Sequence, residues 1–120
     1  MLHNSPFDWD SVLKITNDKT ELAQEIISMF IAELPIMHIN INQAYQQKNY
    51  AALLEFIHKF HGSCCYCGVP HLKELCKTIE NDLKQQNYAE LPKTILALNQ
   101  EVKIILDYAK THKNIFEEKP

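Results

Sequence analysis

Eleven consecutive residues, His58 to Gly68, read HKFHGSCCYCG and bring together two histidines, a lysine, three cysteines and both glycines of the chain. Residues of these types support three chemistries. Thiolates and imidazoles together bind Zn²⁺. A cysteine of lowered pKa is a thiol nucleophile. A histidine with one ring nitrogen tied down presents the lone pair of the other to an electrophile. The elements that carry these residues decide among the three.

Apolar spacing is helical almost throughout. From Asp18, DKTE offers an N-cap with Glu21 three residues later, a capping-box arrangement. Leu22, Ile26, Phe30, Met37, Ile41 and Tyr45 then fall on one stripe of a long helix, which Pro35 is expected to kink. Further stripes run Leu53, Ile57, Phe60, Cys64, then Leu72, Leu75, Cys76, Ile79, Leu83, then Leu91, Ile95, Leu98, Val102, Ile105, Ala109. These predict four amphipathic helices with connections short enough to make neighbours antiparallel. A short leading helix over FDWDSVLKI is expected to lay Phe7, Trp9 and Leu13 across one end, with Trp9 in the core. The fold class is therefore all-α, an antiparallel up-down four-helix bundle with a short extra N-terminal helix. The chain is read as one domain, 1–120, with a core bundle of about 18–112.

The connectors QQKNYAALL (Gln46 to Leu54) and QQNYAEL (Gln85 to Leu91) are near copies. Each places an asparagine where one helix closes left-handed and the next begins. Gly68 is expected to end the second long helix, and Pro70 to open the third.

Composition excludes several functions. Net charge is −3, and the 12 basic residues are all lysine. Neither a basic face nor bidentate arginine is available for nucleic acid. Two glycines cannot form a Gly-rich nucleotide loop, so the chain is not itself an ATP-dependent kinase, and any phosphate it handles must arrive on another protein. No apolar run approaches a membrane span, and MLHNSPFDWD lacks the features of a signal peptide. A soluble, cytoplasmic domain with reduced thiols is expected.

On the second long helix, His58 is one step, about 100°, round from buried Ile57. That puts it at the edge of the core stripe and within reach of solvent. If the second and third helices fold back around Val69, His58 is level with Glu80, whose carboxylate could hold one imidazole nitrogen and leave the other's lone pair facing out. Lys59 and His61 are candidate charges for an incoming phosphoryl group. Gly62, one turn on, costs roughly 1 kcal/mol relative to alanine in a helix. It either lets a partner's backbone approach His58 or lets a neighbouring helix pack closely. Lys73, Lys77 and Lys84 with Glu74 and Glu80 read as a solvated face, and Leu54, Cys65 and Phe30 as candidates for an apolar docking patch.

The stretch IHKFHGSCCYCGVPHLKELCKTIE (Ile57 to Glu80) resembles the signature of histidine-containing phosphotransfer (HPt) domains, most nearly the C-terminal domain of BarA/GacS-type hybrid sensor kinases. The resemblance extends over DWDSVLKITNDKTELAQEIISMFIAELP (Asp8 to Pro35). It implies that His58 is phosphorylated, that Glu80 orients its imidazole, that Lys59 and His61 steady the phosphoryl group and that Gly62 admits the partner. His61 stands where the broad family most often has lysine. The implied function is a phosphorelay intermediate of a two-component system: His58 accepts a phosphoryl group from a receiver-domain aspartate and donates it to a response-regulator aspartate. It implies no cofactor in this domain, Mg²⁺ on the receiver, receiver domains as partners, a monomer without membrane contact, and a place at the cytoplasmic end of an inner-membrane sensor kinase. Two competing readings are a receiver-binding adaptor without phosphotransfer and a Zn²⁺ site of Cys64, Cys67 and Cys76 with His61 or His71. Against zinc, Cys64 and Cys76 lie on apolar stripes as small buried side chains.

Overall fold

The computed structural model describes residues 5–112, and all of its regular elements are helices. They are α1 (Trp9–Ile15), α2 (Thr20–Gln46), α3 (Tyr50–Tyr66), α4 (Pro70–Lys84) and α5 (Leu91–Thr111). The last four form the bundle: α3 packs on α2 and α4, and α5 on α4 and α2. The expected stripes of α3, α4 and α5 supply its interior, with Leu53, Ile57, Phe60, Leu72, Ile79, Leu98 and Ile105 each no more than 1% exposed. Each such side chain contributes roughly 1.5–3 kcal/mol by leaving water. Leu75 and Ala109 are only half-buried.

Helix α1 lies over the α3–α4 turn, where the Asp8 amide donates to the Gly68 carbonyl at 2.7 Å. Gly68 takes φ +64, and a Cβ there would meet the Asp8 carbonyl oxygen and Val12 Cγ2, both at 2.6 Å. The glycine thus ends α3 and seats α1 at once. Phe7 and Val12 are buried beneath α1, whereas Trp9 and Leu13 are half-buried at its edge, so the tryptophan is not a core residue.

Helix α2 departs most from expectation. It begins at Thr20 with Lys19 as an N-cap that makes no side-chain bond. Asp18, expected to cap it, lies in the left-handed turn with Asn17 at φ 63 and 56. The buried stripe is Ala23, Ile27, Phe30, Leu34, Ile41, Ala44; it shares Phe30 and Ile41 with the expected one, while Ile26, Met37 and Tyr45 are half-buried and Leu22 is exposed. Pro35 sits on an exposed face within a continuous helix. The helix is also long and apolar enough to cross a membrane by length and composition, contrary to the sequence reading, because its acids cluster toward one end. Its buried stripe nevertheless packs into the bundle. At the α2–α5 contact, His38 Nε2 lies 2.7 Å from Asn99 Oδ1, and Asn42 and Asn99 exchange amide bonds of 2.9 and 3.0 Å.

In both near-copy connectors the left-handed residue is the one before the asparagine, Lys48 at φ 56 and Gln86 at φ 55. Asn49 instead caps α3, accepting from the Ala52 amide at 3.2 Å. The tyrosines that follow the two asparagines, Tyr50 and Tyr88, stack with ring centroids 4.3 Å apart. The repeated turn therefore ties two loops together at one end of the bundle.

Candidate functional site

The α3–α4 hairpin places the site. Because the two helices reverse around Val69, positions equidistant from it face each other, and His58 Nδ1 lies 2.7 Å from Glu80 Oε2. An ionised carboxylate only accepts, so Nδ1–H donates and Nε2 keeps its lone pair. The His58 side chain is 71% exposed while that of Glu80 is 9% exposed. A fixed acid beneath and a free nitrogen above describe an aimed nucleophile.

Glu80 gathers three partners. Besides His58, it faces Lys84 Nζ at 3.2 Å and His61 Nδ1 at 3.7 Å. Burial alone would raise its pKa, but the His58 hydrogen bond, then that of Lys84 and the charges of both, hold the carboxyl below its usual range. Glu80 therefore does not belong to the solvated face that the sequence suggested, whereas Lys84 does, its side chain 58% exposed. Lys84 was missed as a site residue, although its place one helical turn from Glu80 was the available signal.

His61 is turned inward, its side chain 24% exposed and its Nε2 buried without a hydrogen-bond partner. Lys59 is exposed and, with Ala51, Leu54, Glu55 and Lys84, rims the shallow depression that holds His58 and Glu80. A Cβ built on Gly62 meets nothing within 4 Å. Close helix packing therefore does not account for this glycine, and the space beside His58 is open. Of the candidate patch residues, Leu54 is half-buried at the depression and Cys65 is exposed. Phe30 is 5% exposed and stacks on Phe60, so it belongs to the core.

Three of the four cysteines behave as packing. Cys64, Cys67 and Cys76 are buried. A hydrogen bond with Cys76 and burial push the Cys64 thiol far up, and burial, with Glu33 nearby, pushes Cys67 up to about 12. Thiols so shifted are poor nucleophiles at neutral pH. Among the described residues, no group of three or more His, Cys, Asp and Glu side chains is arranged to hold a metal ion.

Comparison with known proteins agrees with this layout. A family model described as "Hpt domain" matches residues 25–110. The chain is 37% identical over 81 residues, 68% of its length, to the signal transduction histidine-protein kinase BarA of Escherichia coli (strain K12). It is 32% identical over 104 residues, 82% of its length, to the sensor protein GacS of Pseudomonas syringae pv. syringae. It spans only 9% and 12% of those two proteins. Among solved structures, it resembles the HPT domain of a hybrid histidine kinase from Shewanella with a TM-score of 0.81 and 37% identity, over 88% of this chain and 92% of that one. Histidine-containing phosphotransfer protein B of Pseudomonas aeruginosa PAO1 shares the fold, with a TM-score of 0.75 at 18% identity over 95% of this chain and 99% of that one.

Proposed function

Because the chain belongs to the Hpt domain family, a phosphotransfer module of two-component phosphorelays, we propose that His58 is its phosphoryl-carrying residue. The observation that carries this reading is the exposed imidazole held at Nδ1, 2.7 Å from a buried carboxylate. The Nε2 lone pair attacks the phosphorus of an aspartyl phosphate on a receiver domain. The phosphorus–oxygen bond to the aspartate breaks, the carboxylate leaves with its electron pair, and the Nδ1 proton stays on the ring against Glu80. Donation to a second receiver is the reverse of these steps.

In-line phosphoryl transfer asks for positioning and charge rather than covalent help from the protein. On this side of the reaction, Glu80 fixes the ring and Lys59 and Lys84 supply positive charge at the rim. His61 steadies Glu80 from within rather than facing the phosphoryl group. Mg²⁺ belongs to the receiver. Gly62 leaves room for the receiver's backbone. Leu54, half-buried in the depression beside His58, offers it an apolar contact. On this reading the domain is a relay intermediate that takes its phosphate from another protein, and its likeness to segments of sensor kinases supports a place within such a kinase, on the cytoplasmic side.

The test is labelling by a phosphorylated receiver domain. His58→Gln should keep its helicity and lose the label. A variant that still takes phosphate from the receiver would overturn the assignment.

A further inference from the structure

A second pair of residues repeats the geometry of His58 and Glu80. His71 Nδ1 lies 3.0 Å from Glu101 Oε1. The His71 side chain is 64% exposed and that of Glu101 7% exposed, against 71% and 9% in the first pair. In each case one helix supplies the exposed ring and the next helix the buried acid, α3 to α4 in the first and α4 to α5 in the second.

The other described histidines lack this arrangement. His38 faces an amide, His61 is largely enclosed, and His112 turns Nδ1 toward Thr111 and the Tyr108 carbonyl. Glu101 also occupies an expensive position. It is buried beside Leu98, Val102 and Ile105 on the stripe of α5, where an apolar side chain would pack without the cost of desolvating a charge. The partner it holds there at Nδ1 is a largely exposed imidazole.

His71 is the second residue of α4. That end of a helix favours a negative group. Nine residues separate His71 from Glu80 on the same helix, which is about 13 Å along the axis and half a turn round. Glu80 faces α3 and His71 faces α5, so a receiver seated over His58 leaves His71 open.

We propose that His71 is a second phosphoryl-accepting histidine, served by small donors of the phosphoramidate or acyl phosphate class rather than by the partner at His58. The Nε2 lone pair bonds to phosphorus. The donor's phosphorus–nitrogen or phosphorus–oxygen bond breaks, and ammonia or a carboxylate leaves with the electron pair. The Nδ1 proton remains shared with Glu101.

The experiment treats the whole chain with phosphoramidate and maps phosphohistidine by mass spectrometry under alkaline conditions. His58→Gln should carry one phosphate at His71, formed at least about tenfold faster than any label at His112, whose ring lacks a carboxylate. His58→Gln with His71→Gln should lose it. Glu101→Gln should slow labelling of His71 and leave that of His58 unchanged, a pattern that a purely structural pair would not give. No label at His71 in folded His58→Gln, or equal rates at His71 and His112, would overturn the proposal. Failure of the receiver to label His58 would sink the relay reading and leave this one standing, so the two fail separately.

Discussion

Gly62 should be costly for the fold and useful for the reaction, and Gly62→Ala separates the two. The glycine lies in the body of α3, and a Cβ there touches nothing within 4 Å. Alanine adds no clash and restricts the unfolded chain, so the variant should be more stable by roughly 0.5–1 kcal/mol. The position is four residues from His58, about 6 Å along the helix and 40° round, so its side chain projects into the space a receiver must enter. A longer side chain, as in Gly62→Gln, should hold the receiver off by an ångström or more, and a misplacement of that size costs about 10²-fold in rate. Urea unfolding followed by helical circular dichroism gives the stability, and quenched-flow transfer from a phosphorylated receiver gives the rate. A destabilised Gly62→Ala would mean that the glycine serves packing after all. Transfer by Gly62→Gln at the wild-type rate would refute its role as a point of access.

Glu80→Gln should slow transfer by about 10- to 10²-fold, because an amide can present its donor end to Nδ1 and lose the ring's alignment. The depressed pKa of Glu80 means that its stabilising contribution is present above about pH 4.5, the ordinary value of the unfolded acid, and is lost as pH falls through the lower folded value. Urea midpoints measured from pH 6 down to about 3 should therefore converge for wild type and Glu80→Gln at the acid end; a constant gap would contradict the linkage. Gly68→Ala should destabilise by more than about 1–2 kcal/mol, since it combines a left-handed φ with contacts at 2.6 Å to Asp8 and Val12. Asn99→Leu removes the partners of Asn42 Oδ1 and of the His38 ring at the part-buried α2–α5 contact, while the Asn42 amide keeps its bond to the His38 carbonyl, and should cost about 1 kcal/mol in urea unfolding while sparing phosphotransfer.

Much of the site was legible because it depends on local rules. The stripe Leu53, Ile57, Phe60, Cys64 fixes which way α3 faces, and the reversal at Gly68 then sets His58 level with Glu80. Both inferences need only helical periodicity and a short turn. Helix α2 was harder. It carries apolar residues on several faces, with Leu22, Met29, Ile36 and Ile39 exposed, so its pattern does not single out the stripe through Ala23 and Ile27. The start of α2 was misplaced because Asp18 competes as a turn residue and loses its place as a cap. Lys84 lies at the surface as the spacing suggests, but its bond to Glu80 does not stand out, since acid–base pairs one turn apart are common on solvated faces. The Glu101 contact of His71 spans 30 residues between helices, and no local spacing announces it.

The central claim is that Nδ1 of His58 is occupied by Glu80 and that Nε2 does the chemistry. ¹⁵N-histidine NMR of the chain phosphorylated by a receiver domain tests it most directly. The structure predicts phosphorus coupled to Nε2 of His58, with Nδ1 still protonated toward Glu80. Phosphate on Nδ1 of His58, or on another residue, would contradict it.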